Sequence, residues 1–214
     1  MKKALVVGAT GLVGKQLVQK LLSSNDFDSI TVLVRKSYPI KHPKLTELII
    51  NFDEIKTQKL EADTVFCCLG TTMKKAGSKE KFYQVDFTYA FEIAKNAKEN
   101  GAKQFLLVSA IEANPNSIFY YGRVKGEIEQ ALTELNFQNL LIFRPSLLAG
   151  KRDSDNRLGE SIGTVFLKLF SFLIPNKFKL IDSAKVAQGM MEIAQKNMLG
   201  KTIIKSDEIQ KFIG

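Results

Sequence analysis

Two sets of residues in this 214-residue chain combine types and spacings suited to chemistry. One is Tyr121 with Lys125, and with Ser109 twelve residues ahead of the tyrosine. Four residues apart on a helix, the phenol and the ammonium share one face. A serine at the carboxyl end of a parallel strand faces the crevice where ligands bind. In such a group Tyr121 would give or take the proton of a carbonyl or carbinol oxygen, and Ser109 would hydrogen-bond that oxygen. Lys125 would hold a nicotinamide ribose and favour the phenolate by its charge. YxxxK alone is weak, because two common residues at a helical spacing more often decorate a surface. Tyr120 is a neighbouring competitor, but only Tyr121 has a lysine four residues on.

The other set is Gly8, Gly11 and Gly14 in "VVGATGLVGKQL", between an apolar run and an amphipathic stretch. Glycine takes positive φ, lets backbone approach a pyrophosphate closely, and lets the next helix pack against the strand. A helix starting at Leu12 and Val13 aims its N–H groups and positive dipole end at the same point. Thr10 offers a hydroxyl to a phosphate or as a cap. A Walker A loop needs GxxxxGK followed by Ser or Thr. Here five residues separate Gly8 from Gly14 and Gln16 follows Lys15, which argues against a P-loop. The bland alternative is a glycine-rich turn that binds nothing. An NAD site usually places an acid at the end of the second strand, about 20 residues past the glycines, on the ribose 2′-hydroxyl. "TVLVRK" puts Arg35 and Lys36 there instead. A guanidinium grips a 2′-phosphate with two prongs, so NADP is expected ahead of NAD.

These groups need a scaffold, and apolar, β-branched runs alternating with amphipathic stretches supply one. Strands are predicted at Ala4–Val7, Ile30–Val34, Leu45–Asn51, Thr64–Leu69, Gln104–Ser109 and Leu140–Arg144. Helices are predicted at Leu12–Ser23, Lys79–Asn100 and Tyr120–Leu135. That repetition indicates an α/β fold, a parallel sheet covered on both faces. After Arg144 a polar stretch leads to a helix-like run, Ile162–Ile174, a further helix at Ser183–Asn197 and a last strand in "GKTIIKS". No linker, repeat or low-complexity segment interrupts the chain. Residues 1–214 read as one domain whose part from about 146 contributes the substrate pocket.

Composition limits the alternatives. Hydrophobic residues make up 45% and charged residues 25% of the chain, ordinary for a globular protein. No run approaches the roughly 18 apolar residues of a membrane span, so none is expected. The apolar run after Lys3 breaks at Gly8, which favours an N-terminal strand over a signal peptide. Cys67 and Cys68 are adjacent, cannot staple distant segments, and read as core hydrophobes of a reducing compartment. A cytoplasmic location is expected on that basis, with no metal site. The net charge is +9, from 31 Lys and Arg against 22 Asp and Glu. The lysines are spread along the chain and no nucleic-acid-binding motif accompanies them, so the charge reads as a solvated surface favouring an anionic ligand. His42, the one histidine, reads as a solvated loop residue. "GTVFLKLFSFLIP" reads as core or cavity wall.

The glycine loop together with the Ser109, Tyr121, Lys125 set resembles the short-chain dehydrogenase/reductase superfamily, in its atypical, short branch. "CCLGTTMKKAGSKEKFYQVDFTYAFEIAKNAKENGAKQFLLVSAIEANPNSIFYYGRVKGEIE" is similar to the NAD(P)-binding Tat-interactive protein group and its bacterial oxidoreductase-like relatives. "FRPSLLAG" is similar to the segment after the sixth strand there. The resemblance covers residues 1 to about 205. It implies a Rossmann-type doubly wound parallel sheet with helices on both faces and a small C-terminal substrate-side elaboration. It also implies NADP(H) binding and the Ser109, Tyr121, Lys125 assignment, with Tyr121 and Lys125 also touching the cofactor. Cys68, Leu69, Gly70 and Thr71 match the loop after the fourth strand, beside the cofactor. Asn51 and Phe52 match the position that touches adenine, where relatives often have an aspartate. Pro145 matches the proline near the nicotinamide. The proton-relay asparagine of many members has no clear counterpart, and Asp86 and Thr88 are the candidates. Two functions fit. One is an NADP-dependent reductase or dehydrogenase of a small carbonyl or alcohol, with the polar loop Lys151–Glu160 as a lid. The other is a regulatory or scaffold protein that binds NADPH without turnover and signals to a protein partner. The presence of all three residues favours the enzyme.

Overall fold

The computed structural model describes residues 2–149, 179–196 and 198–214. Seven parallel strands form one sheet: β1 (Lys3–Val7), β2 (Ser29–Val34), β3 (Leu45–Ile49), β4 (Thr64–Cys67), β5 (Gln104–Val108), β6 (Asn139–Arg144) and β9 (Gly200–Lys205). Their spatial order is β3-β2-β1-β4-β5-β6-β9. Two short strands, β7 (Leu148–Ala149) and β8 (Ile181–Asp182), pair with each other alone.

Successive side chains on a strand point to opposite faces, and the central strands β1, β4, β5 and β6 are apolar on both. Val6, Val32, Phe66, Leu106 and Leu141 face one way. They pack on α1 (Leu12–Ser23) and α6 (Ser183–Ala194) through Leu17, Val18, Leu21, Val186 and Met190. Leu5, Val7, Val65, Phe105, Leu107 and Ile142 face the other way. There they meet α4 (Ala90–Glu99) and α5 (Tyr120–Glu134) through Ile93, Ala94, Ala97, Ile128 and Leu132. At roughly 1.5–3 kcal/mol for each large apolar side chain buried, this two-sided core fixes the sheet and the loops at its edge.

Among the predicted boundaries that shift, three do so for evident local reasons. β3 stops at Ile49 rather than Asn51, because Asn51 turns its side-chain oxygen onto the Asp53 N–H, 3.2 Å away, and caps a 3₁₀ turn over Phe52–Thr57. β4 stops at Cys67 rather than Leu69, and the chain leaves the sheet as the loop over the crevice. The long predicted helix is not uniform. It runs as α3 (Lys79–Tyr83), a π-helical turn (Gln84–Tyr89) and α4, after the short α2 (Met73–Ala76). The wider turn carries Asp86 inward. α6 begins at Ser183 as expected, capped by Asp182 through the Ala184 N–H at 2.9 Å. The last strand joins the sheet beside β6, and α7 (Ser206–Ile209) follows it. The predicted loop Lys151–Glu160 and helix Ile162–Ile174 lie outside the described residues.

Candidate active site

The strand order reverses at β1, whose neighbours β2 and β4 carry the chain outward in opposite directions. Outside the carboxyl ends at such a switch point lies the crevice of an open α/β sheet. The loops that reach it follow β1 (Gly8–Gly14), β2 (Arg35, Lys36), β4 (Cys68–Thr71), β5 (Ser109) and β6 (Pro145).

The glycine loop is shaped by steric necessity. Gly8 has φ +79°, and a Cβ there would stand 2.5 Å from the Cys68 carbonyl oxygen. A Cβ on Gly14 would stand 2.8 Å from the Gly8 carbonyl carbon, so a side chain would force α1 off the strand. The Gly11 N–H closes the turn onto the Gly8 carbonyl at 2.9 Å. From the side, the Tyr38 hydroxyl donates to the Ala9 carbonyl at 3.3 Å. Gly11 is the N-cap of α1, no side chain caps the helix, and its first turn holds no acid. Thr10 is exposed and leaves the cap to Gly11, while Leu12 is half-buried and Val13 buried.

Arg35 and Lys36 are both exposed. Near Arg35 lies a polar knot: the Tyr89 hydroxyl and the Gln84 amide both donate to Asp53 Oδ1, at 2.5 and 2.8 Å. Burial, then the Asp53 hydrogen bond and charge, push the Tyr89 phenol up to about 12, against the opposing field of Arg35. Phe52 is buried, its ring 5.4 Å from that of Tyr89. Asn51 also donates its amide to Glu54 Oε1 at 3.2 Å. Of the two residues matched to the adenine contact, Phe52 packs in the core and Asn51 caps the 3₁₀ turn.

The loop after β4 is tied down at both ends. The Cys68 N–H donates to the Val7 carbonyl and the Thr71 N–H to Asp86 Oδ2, each at 2.8 Å. Leu69 is half-buried and Gly70 exposed. A Cβ on Gly70 would lie 3.6 Å from Asp86 Oδ1 and 3.8 Å from Lys125 Nζ, so this loop roofs a buried ion pair. Lys125 Nζ stands 2.7 Å from Asp86 Oδ1, with side chains 5% and 0% exposed. Burial works against the lysine charge, but the Asp86 carboxylate and then Tyr121 outweigh it and hold the ammonium above its ordinary value.

Tyr121 stands one turn earlier on α5, 41% exposed, its ring 5.7 Å from that of Phe82. Ser109 is buried at the end of β5, its N–H donating to the Phe143 carbonyl at 2.7 Å. Its hydroxyl donates to Glu129 Oε1 at 2.5 Å. Arg144, the last residue of β6, clamps Glu129 with Nε 3.0 Å from Oε1 and Nη2 2.5 Å from Oε2. Pro145 is buried beside it and accepts the Ile111 N–H at 3.0 Å. Sequence reasoning assigned no role to Glu129 or Arg144, and named Asp86 without a partner. Glu129 continues the i, i+4, i+8 row of Tyr121 and Lys125, a signal present in the sequence.

Comparisons with known proteins show the family and the fold. A family model described as NAD(P)H-binding matches residues 8–171. The chain belongs to that family. A protein of Candida albicans named "Protein FMP52, mitochondrial" is 35% identical over 97% of this chain and 96% of its own length. The rat protein HTATIP2 is 35% identical over 77% of this chain and 70% of its own. Within the family the chain falls in the atypical short-chain dehydrogenase/reductase group. Solved structures share the fold at low identity. A UDP-N-acetylglucosamine 4-epimerase from Methanobrevibacter ruminantium gives TM-score 0.71 at 15% identity, covering 95% of this chain and 76% of that one. MoeE5 with UDP-glucuronic acid and NAD gives 0.72 at 13%, covering 94% and 75%. The fungal relatives are named as mitochondrial, which overturns the cytoplasmic location expected from the cysteines. Free thiols report a reducing environment and carry no address.

Proposed function

We propose that this NAD(P)H-binding oxidoreductase-like protein is an NADP-dependent enzyme that moves a hydride between the nicotinamide and a small carbonyl or alcohol. The observation that carries the reading is an exposed phenol, Tyr121, one helical turn from a buried and charged Lys125 at the carboxyl edge of the sheet. The glycine cradle fits a pyrophosphate, since added Cβ atoms would fill it and the uncapped end of α1 supplies free N–H groups. Gly8, Thr10, Gly11, Leu12, Val13 and Gly14 would line it, with Cys68 to Thr71 and Pro145 alongside. Arg35 would meet the 2′-phosphate, with Lys36 adding charge beside it. The bound nicotinamide supplies or accepts the hydride. Tyr121 passes the accompanying proton to or from the reacting oxygen, so a carbonyl gains one hydride and one proton as it becomes an alcohol. Lys125, charged and fixed by Asp86, holds the ribose and the field around the phenol. Ser109 would hydrogen-bond the reacting oxygen in its alcohol form. Residues 1–214 act as one domain, with the part from about 146 forming the substrate pocket.

A second reading, NADPH binding with little turnover and a protein partner, is favoured by one observation. Ser109 is committed to Glu129, and among the described residues no hydrogen bond joins it to Tyr121. NADPH oxidation assayed across aldehydes, ketones and quinones separates the two. The enzymatic reading expects saturable turnover with at least one class. Tight NADPH binding with no turnover anywhere in the panel favours the binder.

A further inference from the structure

Ser109 has one proton to give, and the structure shows where it goes. A hydroxyl carries a single donor and two acceptor lone pairs, whereas a carboxylate only accepts. Glu129, 5% exposed in its side chain, lies beside the permanently charged Arg144 guanidinium. Its Oε1 takes both the Ser109 hydroxyl at 2.5 Å and Arg144 Nε at 3.0 Å. Its Oε2 takes Arg144 Nη2 at 2.5 Å and Nε at 3.2 Å. All three partners are anchored independently: Ser109 by its backbone bond to Phe143, Arg144 by the β6 ladder, and Glu129 by helix α5.

We propose that Glu129 is a positioning residue that takes the Ser109 proton, so that Ser109 offers the reacting oxygen a lone pair and no donor. The inference rests on the oxidoreductase reading and sharpens it. A hydrogen bond to a charged acceptor is roughly twice as strong as one to a neutral acceptor. A neutral carbonyl therefore does not pull the proton away from Glu129. An alcohol, which brings its own donor, finds a ready acceptor in Ser109. The protonated Tyr121 phenol has the same option. The site thus holds the alcohol side of the couple more firmly than the carbonyl side. Arg144 acts through Glu129, because its two-pronged grip keeps the carboxylate from turning toward solvent.

Glu129→Gln tests this with little change of shape. The carbonyl of the substituted side chain can still accept from Arg144 while its amide donates to Ser109 Oγ, which frees the serine proton for the site. The first readout is the Ser109 hydroxyl proton by NMR in the unliganded protein. We expect a downfield, slowly exchanging resonance that is absent in Ser109→Ala and Glu129→Gln and kept in Tyr121→Phe. The second readout is binding of cyclohexanol to the NADPH complex and of cyclohexanone to the NADP⁺ complex, two pairings that cannot turn over. In Glu129→Gln the ratio of the two dissociation constants should move about three- to tenfold toward the ketone, the worth of one ordinary hydrogen bond. A merely structural contact would weaken both probes alike. Arg144→Lys keeps the charge but loses the second prong, and should shift the ratio the same way by less. The proposal is overturned by a missing resonance in the wild type, by its loss in Tyr121→Phe, or by an unchanged ratio in Glu129→Gln. Failure of NADPH to bind the wild type would sink the oxidoreductase reading instead, and leaves the unliganded NMR measurement intact as a test of the Glu129 bond.

Discussion

Asp86→Asn removes one charge from the buried ion pair and little else. The amide oxygen can still accept the Thr71 N–H that Asp86 Oδ2 holds at 2.8 Å. What is lost is the partner of Lys125 at 2.7 Å, in a place where both side chains are nearly inaccessible. At an effective dielectric of about 20 that pair is worth ~6 kcal/mol of gross attraction, much of it offset by desolvating two charges. Removing one partner of a buried pair typically costs about 3–5 kcal/mol. A stranded Lys125 can instead lose its proton. From an unfolded value near 10.4 that costs ~4.6 kcal/mol at pH 7 and ~1.9 kcal/mol at pH 9. The sign follows from proton counting. In the wild type the folded value is raised, so the contribution of Lys125 is complete below about pH 10.4 and fades only as pH rises through the folded value. In Asp86→Asn the folded lysine binds fewer protons than the unfolded one, so stability climbs with pH by up to ~1.4 kcal/mol per unit. Urea unfolding followed by circular dichroism at pH 7 and pH 9 measures both proteins. A deficit of about 3–5 kcal/mol at pH 7, shrinking toward ~2 kcal/mol at pH 9, is expected. A deficit below ~1 kcal/mol, or one equal at the two pH values, refutes the buried charged pair.

Three further outcomes follow from the same geometry. Arg35→Ala should weaken NADPH by about 10- to 150-fold, the worth of a charge-assisted hydrogen bond, and leave NADH nearly unchanged in parallel titrations; equal losses would remove Arg35 from the 2′-phosphate. Gly14→Ala drives a Cβ into the Gly8 carbonyl, and calorimetry should show NADPH affinity down by tenfold or more while α1 is displaced. Burial, against smaller opposing contributions from a Leu69 backbone hydrogen bond and Lys125, pushes the Cys67 thiol up to about 11. At pH 8 only about one thiol in a thousand is then ionised, and iodoacetamide should leave Cys67 unmodified in the folded protein by mass spectrometry.

The sequence showed plainly those features in which local pattern and tertiary demand coincide. α1 begins and ends at the predicted Leu12 and Ser23, because a glycine loop, an apolar stripe and a polar face all specify it. The central strands are doubly apolar and short, and the strand starts were legible to within a residue. The π-helical turn at Asp86 was not. It carries Asp86 against a charge on another helix, and nothing in "QVDFTY" marks the widening. The Glu129–Arg144 clamp was hidden for a similar reason. Glu129 sits on the Tyr121–Lys125 row of α5, but its guanidinium partner arrives on β6, and the parallel register of β5 and β6 brings Arg144 to Ser109. Phe52 shows the opposite limit. A family pattern matches it to a cofactor contact, and its packing against Tyr89 is a separate core feature that one sequence does not reveal.

The most direct test of the central claim is NADPH oxidation by wild type and Tyr121→Phe on the best substrate of the carbonyl and quinone panel, with NADPH affinity titrated in both. Loss of the phenolic proton carrier should lower the rate by about 10²- to 10⁴-fold while NADPH affinity stays within a few-fold. Equal turnover in the two proteins, or wild-type protein that binds NADPH and oxidises it with no substrate at all, would contradict the assignment of Tyr121 and with it the proposed hydride-transfer function.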